Sequence, residues 1–238
     1  MKQFMRGAIP TSRNRLAAAT PHVIIGDTPL QWIWKPTQLS MYGNDIFGDC
    51  VTAEEAFAKA CHSPEIDIGY HKAVKWARRN WALNGAGLWE IMTLMQTDGF
   101  YVGDFQYNDG PFKSVDWADA ATLKNAIAQG PVKIGVSADQ FQTVAPTCGE
   151  TNGWILTGLT PGQQDHCTSL CGYGTFGWLA SQLGTTVPTG MENTPGWAMF
   201  TWSTIGLIDE KSLLAITGES WLRTPTTVIK PNPVKASE

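Results

Sequence analysis

Cys50 and His166 are the two side chains of this sequence best placed by type and setting to make a nucleophile and its base. Cys50 lies in the stretch Gly-Asn-Asp-Ile-Phe-Gly-Asp-Cys-Val-Thr-Ala-Glu-Glu-Ala-Phe, residues 43–57, where turn formers give way to an apolar-periodic run of helix formers. That junction puts the sulfur at a helix N-terminus, where free N–H groups and the positive end of the helix dipole favour thiolate over thiol. Asp49, next in the chain, works against it, because a nearby carboxylate opposes ionisation. A thiolate becomes a hydrolytic nucleophile when a base can take and return its proton. Of the four histidines, His166 in Gln-Asp-His-Cys-Thr-Ser-Leu-Cys-Gly-Tyr-Gly opens a strand-like run that ends in a glycine-rich turn. His22 and His62 have no such setting, and His71 sits on a charged helix face. A Cys early on a helix and a His late on a strand is the arrangement of a Cys–His hydrolase.

Several stretches, taken in order, resemble the papain-like cysteine peptidases. Asn44 stands six residues before Cys50, where the family has the Gln of its oxyanion hole, and Gly48-Asp49-Cys50 is similar to the family's Gly-Ser-Cys. Asn84-Gly85-Ala86-Gly87 resembles the Asn-Gly-Gly substrate-binding segment, so Gly85 and Gly87 are implied to line a rim where an extended substrate pairs its backbone. Residues 123–132 resemble the helix-to-strand passage, and Asp165-His166 followed by Gly172-Tyr173-Gly174 resembles the stretch around the family's His. The resemblance spans residues 31 to about 205. It implies an acyl-enzyme on Cys50, His166 as general base and acid, and a roomy pocket beside Gly135. Trp202 corresponds to the indole that shields the family's His. The Asn that orients that His has no counterpart in Met-Phe-Thr-Trp-Ser-Thr, residues 199–204, where Thr201 offers only a hydroxyl.

The elements that must carry these groups follow from pattern. Residues 50–61 form a helix with Ala53, Ala56, Phe57 and Ala60 on one face, as a buried central helix would. Further helices are expected over 67–81, 88–98, 119–129 and near 207–217. Val132, Ile134 and Val136 alternate with Lys133, Gly135 and Ser137, a half-buried strand. More strands are expected near 166–172, 176–181 and 196–203. The division is an N-terminal arm (1–30) lying over the body, a helical lobe with the Cys (31–112), a β-rich lobe with the His (113–222) and a mobile tail (223–238). The expected fold is α+β and papain-like: a helical N-terminal lobe, an antiparallel β-barrel-like C-terminal lobe, and a cleft between them.

Composition narrows the function classes. A chain of 238 residues with formal charge −4 gives no electrostatic reason to bind nucleic acid or an acidic membrane. No apolar run approaches the ~20 residues of a bilayer span, and the start lacks a secretory signal. A cytoplasmic or virion-associated setting is expected. Five cysteines is an odd count, and the family's Cys three residues before the nucleophile is Phe47 here, which points to reduced thiols. One bridge among Cys61, Cys148, Cys167 and Cys171 stays open. His166, Cys167 and Cys171 lie close in sequence, but on a strand the two sulfurs share one face and the imidazole takes the other, so no metal is expected, and no cofactor. The 49 residues ahead of Cys50 leave no room for a long inhibitory pro-segment, so control by one is not expected. Two readings follow: a cysteine hydrolase acting on a peptide or protein substrate, or a non-catalytic module of the same fold used for binding or assembly, of a phage or virion type.

Overall fold

A computed structural model describes residues 4–233. The first three residues of the arm and the last five of the expected tail lie outside the described residues.

The chain opens with a short strand, β1 (Ala8–Ile9), a short helix, α1 (Arg13–Ala18), and β2 (Trp32–Ile33). Three helices follow, α2 (Cys50–Ala60), α3 (Tyr70–Arg79) and, after the two-residue β3 (Ala86–Gly87), α4 (Leu88–Met95). A run of short strands comes next: β4 (Phe100–Val102), β5 (Phe105–Asn108) and β6 (Phe112–Ser114). Then come α5 (Ala120–Gln129), β7 (Val132–Val136), α6 (Phe141–Val144) and β8 (Ile155–Leu156). The long β9 (His166–Thr175) leads through α7 (Phe176–Gln182) to β10 (Pro195–Thr201) and β11 (Thr204–Asp209). The chain closes on α8 (Glu210–Ile216), β12 (Thr217–Arg223) and β13 (Val228–Pro231).

The main sheet runs β6-β12-β7-β9-β10-β11-β8, with β2 added along β9. Its pairs are antiparallel except β8 with β11. This corrects the expected barrel-like lobe: the fold is α+β with mixed sheets, and the large sheet is neither closed nor strongly curled. The physical reason lies at the edges. β6 is covered by the arm, whose Thr20 carbonyl accepts from Ser114 N at 3.0 Å and whose His22 N donates back at 2.7 Å. At the other end β8 is only two residues long. A short or covered edge needs no closure.

Two further corrections come from local chemistry. The expected strand at 176–181 is α7, because Thr175 caps a helix by accepting from Trp178 N at 3.3 Å. A six-residue apolar run cannot be assigned from periodicity alone. The expected half-buried strand, β7, is buried along its whole length. Lys133, on its supposedly wet face, points at the carboxylates of α2 instead.

Helix α2 sits at the centre, with all of its residues buried. Phe57 stacks on Phe200 of β10, ring centroids 3.9 Å apart. Its charged residues are paired inside the protein: Arg223 of β12 bridges Glu54 at 2.7 Å and Glu55 at 2.6 Å, and Lys133 of β7 reaches both. Lys59 binds Asp109 and donates to the carbonyls of Asn108 at 3.0 Å and Thr226 at 2.7 Å. These contacts fix the helix against two strands of the sheet, and so set where its first residue lies.

Candidate active site

Cys50 is the first residue of α2 and is only 1% exposed. Its thiol is pushed up to about 12 by burial, opposed by the backbone N–H groups of Cys167 and Gly7. Those two N–H groups locate the sulfur: one belongs to the residue after His166 at the start of β9, the other to the N-terminal arm. Asp49 is buried beside it, and burial raises it to about 8 against the lowering effect of its own backbone N–H and the Asn44 amide. At neutral pH Asp49 is therefore mostly protonated, and the charge expected to oppose a thiolate is largely gone.

His166 is fully buried at the head of β9, opposite Val136. Its Nε2 meets Thr201 Oγ1 at 2.6 Å and its ring stacks on Trp202 with centroids 4.5 Å apart. Nδ1 has no hydrogen-bond partner. Burial, with a smaller contribution from the Arg6 guanidinium, lowers the imidazole to about 3. In this structure, then, Cys50 and His166 rest as neutral thiol and neutral imidazole. Thr201 and Trp202 owe their positions to the β10–β11 turn, in which Trp202 and Ser203 both have positive φ, 44° and 65°. Neither residue type announces such a turn, which usually takes Asn-Gly, so sequence pattern could not place it.

The remaining candidates have the following settings. Asn44 is buried, and its amide donates to the Phe47 carbonyl at 3.0 Å, stapling the loop before Cys50. Gly85 precedes β3 and Gly87 ends it, and β3 already has a partner: β1 of the arm pairs with it in parallel, Ala8 opposite Ala86 and Ile9 opposite Gly87. The space beside Gly135 is filled by the Gln164 side chain, which donates to Glu219 at 2.6 Å. Glu219 also accepts from Thr11 N at 3.0 Å and Trp221 Nε1 at 2.7 Å. Elsewhere His22 is tied to Asn125 at 3.1 Å and His62 to the Pro64 carbonyl at 3.0 Å. All five cysteines are free thiols. Among the described residues, no group of His, Cys, Asp and Glu is arranged to hold a metal. No helix is long and apolar enough to cross a membrane.

Sequence reasoning missed the arm's part in this site. Phe4 packs on Trp202 with centroids 5.4 Å apart, Met5 N donates to the Asn44 carbonyl at 3.3 Å, and Trp202 Nε1 donates to the Met5 carbonyl at 3.1 Å. Arg6 pairs with Asp165 at 2.6 Å, Ala86 N donates to the Gly7 carbonyl at 2.9 Å, and Ala8 N to the Asp165 carbonyl at 3.0 Å. The signal available was Gly7 within a segment otherwise rich in large side chains, and it carries no period.

No protein-family model matches the chain, and no curated protein sequence does. Its fold is remotely similar to those of papain-like cysteine proteases. The proform of the ragweed pollen cysteine protease Amb a 11 matches with a TM-score of 0.60 at 16% identity, over 88% of this chain and 72% of that one. Xylellain, a cysteine protease from Xylella fastidiosa, matches with a TM-score of 0.57 at 12% identity, over 94% of this chain and 98% of its own. The Carica candamarcensis cysteine protease CMS1MS2 matches with a TM-score of 0.57 at 14% identity, over 82% and 98%. At these identities the likeness is one of fold.

Proposed function

We propose that the chain is a cysteine hydrolase that cleaves a peptide or amide bond through an acyl-enzyme on Cys50, with His166 as general base and acid. One observation carries the reading. The Cys50 sulfur, at a helix N-terminus, lies against the backbone N–H of the residue following His166, whose ring is held between Thr201 and Trp202. In the reaction His166 takes the thiol proton, and the thiolate attacks the carbonyl carbon. The tetrahedral oxyanion is met by helix N-terminal N–H groups, with Asn44 beside them. The imidazolium returns the proton to the leaving amine as the C–N bond breaks. Water, deprotonated by His166, then attacks the thioester, releasing the acid and restoring the thiol. Gly85 and Gly87 would line the substrate rim, Gly135 a side-chain pocket, and Trp202 would shield the imidazole.

The test is alkylation of Cys50 by iodoacetamide and by an epoxide peptide near neutral pH, located by mass spectrometry. One label per chain on Cys50, lost in His166→Ala, is the expected result. Reactivity no greater than that of a free thiol, and unchanged in His166→Ala, overturns the reading. A second reading, a non-catalytic peptide-binding module, is favoured by the buried neutral thiol and imidazole and by β1 lying on β3. It predicts no His166-dependent label on Cys50 and no hydrolysis of any peptide.

A further inference from the structure

Helix α3 carries, at both of its ends, residues that stability alone would not choose. Its first turn holds Lys72 and no acid, although the N-terminal end of a helix favours negative charge. Its last turn closes in a Schellman motif: Ala82 N donates to the Ala77 carbonyl at 2.8 Å, and Trp81 N to the Arg78 carbonyl at 3.4 Å. The left-handed position of that motif usually holds glycine, but here it holds Trp81, at φ 58°. The Trp81 side chain is 93% exposed, so packing does not offset the strain. A backbone outlier that leaves a large apolar side chain in solvent points to function.

A concave, basic surface lies along the same helix. Lys72, Lys75 and Arg79 share one face of α3, and with Trp76 and Tyr101 they line a cavity of about 390 Å³. Arg79 pairs with Asp98 at 2.7 Å and lies over the Tyr101 ring at 5.5 Å, and Asp98 also accepts from the Tyr101 hydroxyl at 3.2 Å. Lys72, Lys75 and Arg78 have no ion pair among the described residues. We infer that this cavity and Trp81 form a docking site for an acidic peptide segment of a partner protein, with carboxylates at Lys72 and Lys75 and an apolar side chain on the Trp81 indole. Trp and Arg are the side chains that anchor protein interfaces, and cation clusters read acidic motifs. Two features favour a peptide as the occupant. The plane of a bilayer does not fill a concave site, and the chain's formal charge of −4 repels a long polyanion such as nucleic acid more than a short acidic segment. The site uses none of the residues around Cys50, so it stands whether or not a bond is cleaved there.

The test uses the full chain and the fluorescein-labelled peptide Asp-Glu-Leu-Asp-Glu-Phe, followed by fluorescence anisotropy. Saturable binding is expected, weakened roughly tenfold when NaCl is raised from about 50 to about 300 mM. The peptide Lys-Lys-Leu-Lys-Lys-Phe should not bind. Lys72 and Lys75 are both exposed, so Lys72→Glu/Lys75→Glu keeps the fold, and it should abolish binding. Trp81→Gly should weaken binding about tenfold and yet raise the urea midpoint of unfolding, because glycine fits the left-handed turn. A merely structural Trp81 would not give lost affinity together with gained stability. Absence of saturation, binding unchanged in either variant, or a Trp81→Gly chain less stable than the wild type overturns the inference. So does displacement of the peptide by phosphatidylserine vesicles or by a single-stranded DNA oligonucleotide at lower concentration than by unlabelled peptide.

Discussion

The two ends of helix α2 handle buried ionisable groups in opposite ways. Toward its middle and C-terminus, Glu54, Glu55 and Lys59 lie in the interior with Lys133, Arg223 and Asp109, and each has an opposite charge against it. At its N-terminus, Asp49, Cys50 and His166 are buried with no charge partner directly against them, and burial drives all three toward their neutral forms. Burial raises Glu55 as well, but Arg223, Lys133 and Lys59 outweigh it and hold that carboxylate at about 2. The lesson is that burial by itself neutralises a group, whereas burial with a partner keeps it ionised. The paired end anchors the helix with charges, and the unpaired end keeps its groups neutral by burial alone.

The largest effect that tests this contrast belongs to the paired end. Arg223→Met leaves Glu54 and Glu55 with Lys133 as their one shared cation, and the expected loss is about 3–5 kcal/mol of unfolding free energy, read from urea denaturation at pH 7. A loss under about 1 kcal/mol would mean that the network does not hold the helix.

The next effect is one of pH, and its sign differs between the two ends. Glu55 is depressed in the folded chain to about 2 from 4.5, so its stabilising contribution is complete above 4.5 and fades as pH falls toward 2. Asp49 is raised to about 8 from 3.8, so the unfolded chain loses this proton first and the wild type loses stability as pH rises from about 4 to about 8. Asp49→Asn lacks that loss. Its urea midpoint, relative to wild type, should climb steadily between pH 4 and pH 8, and a constant difference would show Asp49 to be ionised in the fold.

The smallest effect is at the imidazole. Thr201→Val removes one hydrogen bond to His166, worth up to ~1.5 kcal/mol, so His166-dependent labelling of Cys50 should fall roughly tenfold against the wild type. Thr201→Ser should restore it, and the pH midpoint of labelling should shift only in the valine variant. Equal rates for valine and serine would leave the hydroxyl without a positioning role.

What the sequence determined by itself is local. Turn formers ahead of Cys50 and good helix formers after it make a helix begin at that residue, because the signals for a helix start are read within a few positions. Asp119 before α5 and Gly130-Pro131 after it bound that helix for the same reason. What only the tertiary structure decided is which polar groups are buried together. Lys133 reads as a solvent-facing strand residue until α2 supplies its carboxylates. Trp202 reads as a strand residue until a left-handed turn aims its indole at His166. The arm reads as formless until Gly7 meets Gly48 and Gly85. Each depends on contacts between segments tens of residues apart, and such contacts leave no period in the chain.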